Sequence, residues 1–290
     1  MFARRRFALS LPGGGTLALG ERTLVMGVIN VTPDSFSDGG DRFGPAAAID
    51  AGVRMAEDGA DILDIGGEST RPGADPLGAE EERSRVLPVI EALARRVTVP
   101  ISIDTYKASV ADAALRAGAS IVNDISGLRY DPAVGEIVAR HDGLLVLMHM
   151  RGRPKDMYEH ASYHDVVDEV LDELRESIAF ATAAGVARDR ILVDPGLGFA
   201  KDAAHSFEVV ARLHEFADLG RPLLLGPSRK SFLARALRRQ VPPADRDWAT
   251  AAAVTAAVLA GAHVVRVHAV RELVQVVRVA DEIRRYHRQD

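Results

Sequence analysis

Polar residues close nearly every short apolar run in this sequence. Asn30, Glu68-Ser69-Thr70-Arg71, Asp104, Asn123-Asp124, His149, Asp194, Ser228-Arg229-Lys230, and Arg266 with His268 each follow such a run. They fall into three chemical classes. Asp104, Asn123 and Asp194 offer carboxylate acceptors and an amide that both donates and accepts, which suits a flat heterocycle rich in ring N–H and amino donors. Arg71, Lys230, Arg266 and His268 bring positive charge beside glycine-rich turns, which suits phosphate. Asn30 and Asp38 are oxygen ligands that fit Mg2+ next to a phosphate better than zinc. The competing role for this pair is capping of the turn Thr32-Pro33-Asp34-Ser35. Any one of these residues, taken alone, is as well explained by satisfaction of loop backbone. A shared pocket requires elements that carry them all to one place.

The apolar runs number eight: Leu24 to Ile29, Ile62 to Ile65, Ile101 to Ile103, Ser120 to Val122, Leu144 to Met148, Ile191 to Val193, Leu223 to Leu225, and His263 to Val267. Between them, patterns such as Val167, Val170, Leu171, Leu174 and Ile178, or Leu273, Val276, Val277, Ala280 and Ile283, put apolar residues on one helical face. Apolar strands alternating with amphipathic helices predict a parallel sheet covered on its outside. Eight such units predict an α/β fold of the (β/α)8, or TIM, barrel class, with an open doubly wound sheet as the competing topology. In a barrel the C-terminal strand ends converge on one face, so residues far apart in sequence share a pocket.

Residues 6 to 20 read as two strands around Gly13-Gly14-Gly15, a hairpin that caps the barrel without chemistry of its own. The expected organisation is a hairpin extension over 1–20 and one barrel domain over 21–290, with 239–247 (Arg239, Pro242, Pro243, Asp245) a surface insertion. Asp58-Gly59-Ala60, Ala117-Gly118-Ala119 and Ala260-Gly261-Ala262 repeat one mechanical device, a helix stop followed by strand entry. The segments Asn30 to Gly44 and Gly66 to Gly78 are long and glycine-bearing, and read as lids over the pocket.

Composition removes several alternatives. With 290 residues, 47% hydrophobic and 27% charged, the chain is an ordinary globular one. Its net charge of −5 provides no global field for nucleic acid or acidic lipid, so neither is an expected partner. There is no Cys, hence no thiolate nucleophile and no Cys-ligated zinc or iron–sulfur centre, and a reducing, cytoplasmic compartment fits. Arg4-Arg5-Arg6 and Phe7-Ala8-Leu9 open like an export signal, but Pro12-Gly13-Gly14-Gly15 interrupts the apolar run. Ala249 to Ala262 falls short of the about 20 apolar residues that span a bilayer. Met148-His149-Met150 has no further soft ligands to make a copper site, and Gly196-Leu197-Gly198-Phe199 lacks the third glycine of a dinucleotide fingerprint.

Met26-Gly27-Val28-Ile29-Asn30-Val31-Thr32-Pro33-Asp34-Ser35-Phe36-Ser37-Asp38-Gly39-Gly40 resembles the first signature of the dihydropteroate synthase family of pterin-binding enzymes. Asp64-Ile65-Gly66-Gly67-Glu68-Ser69-Thr70-Arg71-Pro72-Gly73 is similar to the second. Ser102-Ile103-Asp104-Thr105, Val122-Asn123-Asp124, Asp194-Pro195-Gly196, Ser228-Arg229-Lys230-Ser231 and Arg266-Val267-His268 follow in order, so the resemblance runs from about residue 20 to 285. It implies a cytoplasmic, homodimeric folate-pathway transferase on a (β/α)8 barrel. That enzyme joins 6-hydroxymethyl-7,8-dihydropterin diphosphate to 4-aminobenzoate, releases pyrophosphate, and is the target of sulfonamides.

Carried over by position, Asp104, Asn123, Asp194, Lys230 and Met148 resemble the pterin-binding set, and Arg71, Arg266 and His268 the diphosphate clamp. Phe36, Thr70, Pro72, Phe199 and Ser231 resemble the aminobenzoate pocket. Asn30 resembles the Mg2+ ligand, with Asp38 in the first loop; Asp38, Arg71, Lys230, Arg266 and His268 are the catalytic set. Two positions depart from the family pattern, Pro227 before Ser-Arg-Lys and Ala269 after His268. Pro227 fixes φ and removes an N–H in the loop that presents Lys230. The chemistry implied is substitution at the pterin methylene, in which the diphosphate departs before the amine bonds appreciably and catalysis is mostly electrostatic. The competing functions are a pterin-dependent methyltransferase and a catalytically silent pterin-binding paralogue.

Overall fold

The computed structural model describes residues 4–32, 45–71, 73–237 and 241–286. Strands β1 (Phe7–Ser10) and β2 (Thr16–Leu19) form the expected antiparallel hairpin. Eight parallel strands follow: β3 (Leu24–Asn30), β4 (Ile62–Gly66), β5 (Ile101–Asp104), β6 (Ile121–Asp124), β7 (Leu144–Met148), β8 (Ile191–Asp194), β9 (Leu224–Leu225) and β10 (Val264–Val267). From β3 to β8 each strand pairs with the next in sequence, and β10 pairs with both β3 and β9. A parallel bridge from Val193 to Leu223 joins β8 to the residue before β9 and closes the ring. The closed barrel, not the open sheet, is the topology.

The helices α1 (Pro45–Glu57), α2 (Ala79–Ala94), α3 (Ala108–Arg116), α4 (Ala133–Arg140), α5 (Val166–Ala183), α6 (Ala203–Ala211), α8 (Asp247–Leu259) and α9 (Val270–Tyr286) lie between and after the strands. A short extra helix, α7 (Ser231–Ala236), precedes α8. Gly59, Gly118 and Gly261 take φ of +102°, +115° and +106°, the left-handed conformation that ends a helix and that residues with a β-carbon adopt at a cost. Among the described residues no helix is long and apolar enough to cross a membrane.

Alternation along the strands separates two layers of core. Leu63, Ile65, Ile103, Val122, Leu145, Leu147, Val193 and Val265 point outward and pack with the helices in one continuous cluster. Leu24, Met26, Ile62, Ile121, Leu144, Val146, Leu192, Leu224 and Val264 have the opposite parity and fill the lower barrel, where Leu9, Leu17 and Leu19 of the hairpin join them. The hairpin is therefore a plug under the barrel. One step higher on the same inward face the residues turn polar: Asp64, Ser102, Asn123, Asp194 and Arg266. The period of two that fills the floor thus delivers charge to the mouth.

A buried ionic knot fastens the plug. Arg4 donates to the Ala262 carbonyl at 2.6 Å, to Thr23 Oγ1 at 2.5 Å and to Asp281 Oδ1 at 3.1 Å, while the Thr23 backbone N–H donates to Asp281 Oδ2 at 2.5 Å. Removing one partner of a buried ion pair costs more than the pair contributes, because the other charge stays desolvated. Asp281→Ala is accordingly expected to destabilise the protein by about 3 kcal/mol. In thermal unfolding that is a fall of roughly 6–12 °C, and a melting temperature unchanged by the substitution would show that the knot does not fasten the floor.

Candidate active site

Every predicted site residue that is described lies at the C-terminal end of the barrel or in the loop above it. Asp104 ends β5 in register with Asn123 of β6, Met148 ends β7 in register with Asp194 of β8, and Asn30 ends β3 beside Gly66. Thr70 and Arg71 follow β4; Phe199 follows β8; Lys230 and Ser231 stand at the start of α7; His268 follows β10. Phe36, Asp38 and Pro72 lie outside the described residues.

Arg266 organises the centre. Its Nε donates to Asp64 Oδ2 at 2.6 Å and its Nη2 to Asp104 Oδ2 at 2.7 Å. Asn123 Nδ2 donates to the same Asp64 oxygen at 3.0 Å. The guanidinium expected to meet a diphosphate is thus also the counter-ion of two carboxylates. Burial pushes the Asp104 carboxyl up to about 7; the Arg266 charge opposes this, while Asp64 and, farther off, Glu82 and Asp124 reinforce it. Asp194 is raised by burial against the pull of Lys230, and its Oδ1 accepts the Gly196 N–H at 2.7 Å. Lys230 is lowered to about 8 by burial, with Asp194 opposing and Arg266 assisting. Its ammonium donates to the Leu197 carbonyl and sits 4.4 Å from the centre of the Phe199 ring, a cation–π contact.

His268 differs from its sequence expectation. Burial, followed by the like charges of Arg266 and Arg229, drives its pKa to about 3, so the ring is neutral at physiological pH rather than a fourth cation. Ser228 Oγ accepts the His268 backbone N–H at 3.2 Å and stands 2.9 Å from Nδ1. With the hydroxyl proton given to Nδ1, the ring is the Nε2–H tautomer and that N–H is left as a donor. Arg71 is exposed on its loop.

The loop that carries Lys230 is braced despite Pro227. Arg229, at φ +60°, forms a two-point ion pair with Asp247, both contacts 2.8 Å, and Arg246 Nη1 donates to the Arg229 carbonyl at 2.8 Å. The turn after β8 is equally constrained. Gly196 has φ +73°, and a β-carbon there would stand 2.0 Å from the His149 carbonyl oxygen. Behind it the buried Lys201 Nζ donates to the Gly196 and Phe199 carbonyls, each 3.2 Å away, and stands 2.7 Å from His149 Nδ1. His149 Nε2 in turn meets Glu173 of α5 at 3.1 Å. His149 and Asp124, both polar strand ends, therefore point away from the site: Asp124 caps the next turn by accepting the Ser126 and Leu128 N–H groups, each at 2.8 Å.

Asp64 is the residue that inspection of strand ends missed. It sits inside an apolar run, and the signal was its parity with Ile62, which places it on the inward face. Glu68, at the root of the second loop, was likewise given no role. It accepts the Tyr106 hydroxyl at 2.8 Å and pairs with Lys107, which also pairs with the buried Glu82.

Among the described residues no three acidic or histidine side chains gather into a metal cage. Asn30, half-buried at the end of β3, presents a hard amide oxygen, and Mg2+ beside a phosphate needs few protein ligands. The donor type fits.

The neutral His268 is directly testable. Its imidazole resonances should show the Nε2–H tautomer and should not titrate between pH 5 and 8; in Arg266→Ala, which removes a like charge, its pKa should rise. A midpoint near 6.5 in the unsubstituted protein would refute the assigned state.

Residues 26–268 match the family model described as pterin binding enzyme. The chain is 44% identical over 278 residues to the dihydropteroate synthase of Synechocystis sp., covering 96% of each. The Yersinia pestis dihydropteroate synthase, solved with a sulfonamide drug complex, superposes with a TM-score of 0.89 at 41% identity, covering 96% of this chain and 100% of that one. The Xanthomonas albilineans enzyme with 4-aminobenzoic acid gives 0.89 at 42%, covering 96% and 98%. The arrangement of strand-end residues and these likenesses agree, and the chain belongs to the pterin-binding enzymes, within them to the dihydropteroate synthases.

Proposed function

We propose that the chain condenses 6-hydroxymethyl-7,8-dihydropterin diphosphate with 4-aminobenzoate, giving 7,8-dihydropteroate and pyrophosphate in folate biosynthesis. The observation that carries the reading is the inward ring of Asp104, Asn123 and Asp194 above an apolar floor, flanked by Lys230 and Arg266. Acceptors facing a heterocycle and cations facing its leaving group are what this reaction requires. A methyl transfer would leave Arg71, the outward N–H groups of Arg266 and the His268 Nε2–H without a leaving anion to stabilise.

In this reading Asp104, Asn123, Asp194, Lys230 and Met148 hold the pterin. The methylene C–O bond breaks with its electron pair going to the diphosphate, and the cation left behind is delocalised into the electron-rich ring. The carboxyl groups of Asp104 and Asp194 face that positive charge, which favours their ionised form. Arg71, Arg266 and the His268 N–H face the departing anion, as does the N-terminus of α9. When bound, Mg2+ adds positive charge at the leaving group, with Asn30 as its ligand and Asp38 in support. The arylamine is neutral at physiological pH, so its lone pair forms the new C–N bond without a side-chain base, and its proton is lost to solvent or pyrophosphate. Thr70, Phe199 and Ser231, with Phe36 and Pro72, surround the aminobenzoate.

The same reading includes a cytoplasmic homodimer. The lack of Cys supports the compartment, and the exposed stripe Val279, Ile283 and Tyr286 along α9 supports self-association.

Purified protein with both substrates and Mg2+ should release pyrophosphate; none released would refute the reading. Asp194→Ala should weaken pterin binding at least 100-fold, about 2.7 kcal/mol, with little loss of fold, and binding within twofold of the unsubstituted protein would remove Asp194 from the pterin set. Because Arg71 is exposed, with no ion pair among the described residues, and gains a partner when an anion arrives, aminobenzoate and a competing sulfonamide should bind more tightly with pyrophosphate and Mg2+ present. Equal affinity in both conditions would exclude ordered binding.

A further inference from the structure

Asp64 is fully buried in the barrel mouth, in register with Val28 on one side and Ser102 on the other. Both of its hydrogen bonds, from Arg266 Nε at 2.6 Å and Asn123 Nδ2 at 3.0 Å, converge on Oδ2. Its other oxygen, Oδ1, is buried and has no hydrogen-bond partner among the described residues. A carboxylate so placed is a poor device for stability. Desolvating it is costly, and a buried ionic network replaced as a whole by well-packed apolar side chains is commonly neutral or better for stability. Its neighbours in sequence, Leu63 and Ile65, are the kind of residue that stability alone would select there.

We propose that Asp64 is a positioning residue of the pterin site: it turns the Asn123 amide and the Arg266 guanidinium so that the Asn123 carbonyl oxygen and the outward Arg266 N–H groups face the ligand. The inference rests on the pterin reading above. Only the NH2 group of an asparagine can face a carboxylate, so the bond to Asp64 decides which end of the Asn123 amide remains for the ligand. Arg266 then links Asp64 to Asp104, and the chain Asn123–Asp64–Arg266–Asp104 draws on β6, β4, β10 and β5. A side chain held at Nε by one carboxylate and at Nη2 by another has lost the torsional freedom that a lone arginine keeps.

Asp64 also contributes charge. The groups that bear on Asp104 are Arg266 and Lys230 as cations and Asp64, Glu82 and Asp124 as anions. Removing the Asp64 charge should therefore make Asp104 more acidic and carry pterin binding to lower pH.

Calorimetry with 6-hydroxymethylpterin, which lacks the diphosphate, separates the possibilities. Failure of the unsubstituted protein to bind it removes the pterin reading and the proposal together. Given binding, Asp64→Asn, equal in size and uncharged, should raise the pterin dissociation constant at least tenfold, with the KM for aminobenzoate within twofold; Arg266 keeps Asp104 as its counter-ion, so the protein should still fold. The pH midpoint of pterin binding should move acidward. In the double variant with Asn123→Ala, the loss should be smaller than the product of the single losses, because the two residues act on one contact. Pterin affinity within twofold of the unsubstituted protein, an unmoved pH midpoint or multiplicative losses would each overturn the proposal. Asp64→Ser is the second probe, and failure of both variants to fold would assign Asp64 to barrel stability and overturn it too.

Discussion

Two carboxylates and an amide can share the mouth of this barrel because one guanidinium stands between them. Arg266 reaches Asp64 with one nitrogen and Asp104 with another, both within 2.7 Å. Without that charge, Asp64 and Asp104 would repel one another in a desolvated space, and at least one would take up a proton and lose its value as an acceptor. The acidity of Asp104, the neutral state of His268 and the depressed basicity of Lys230 all carry the mark of Arg266. The site is an electrostatic arrangement first and a shape second.

Such an arrangement is costly, and the rest of the fold is built so that it can be carried. The outer cluster between strands and helices is apolar and continuous, and the lower lumen is filled by Met26, Ile62, Val146 and their neighbours. Stability is made in those two regions. Within the lumen, charge is confined to the upper layer, where strand parity delivers it. The two turns that hold Lys230 and Phe199 are pinned from behind, one by the Arg229–Asp247 pair and the other by Lys201. The second loop is rooted by Glu68 and Lys107 while Arg71 at its far end stays exposed.

Much of this was legible in the residues themselves. Eight apolar runs and their helical spacers predict the barrel, and the polar residues that end those runs name Asp104, Asn123, Asp194 and Arg266. What stayed hidden depends on solvent and on distance. Asp64 was masked by its apolar neighbours, because a run read as continuous conceals the inward parity of one member. The charge of His268 was misjudged because desolvation is set by Arg266, Arg229 and burial, none of which a side-chain type reveals. Arg4 has no role that its neighbours in sequence reveal, because its carboxylate partner is 277 residues away. His149 and Asp124 share the sequence pattern of site residues and fail only because each is one position out of phase.

The filled lower barrel, with the hairpin beneath it, bears on how traffic must run. With Met26, Ile62, Val146 and their neighbours filling the lower lumen and Leu9, Leu17 and Leu19 packed beneath them, the described barrel is a well that opens at its C-terminal mouth. Asp104, Asn123 and Asp194 stand on its walls, whereas Thr70, Phe199 and Ser231 stand at its rim. Whatever occupies the walls must pass the rim before the rim is filled, and whatever sits at the rim must lift before the walls can empty. A rim ligand arriving early obstructs the shaft, and one that can neither react nor leave seals the lower ligand beneath it. The packed floor at the opposite end of the molecule thereby bears on the order in which the mouth can fill and empty.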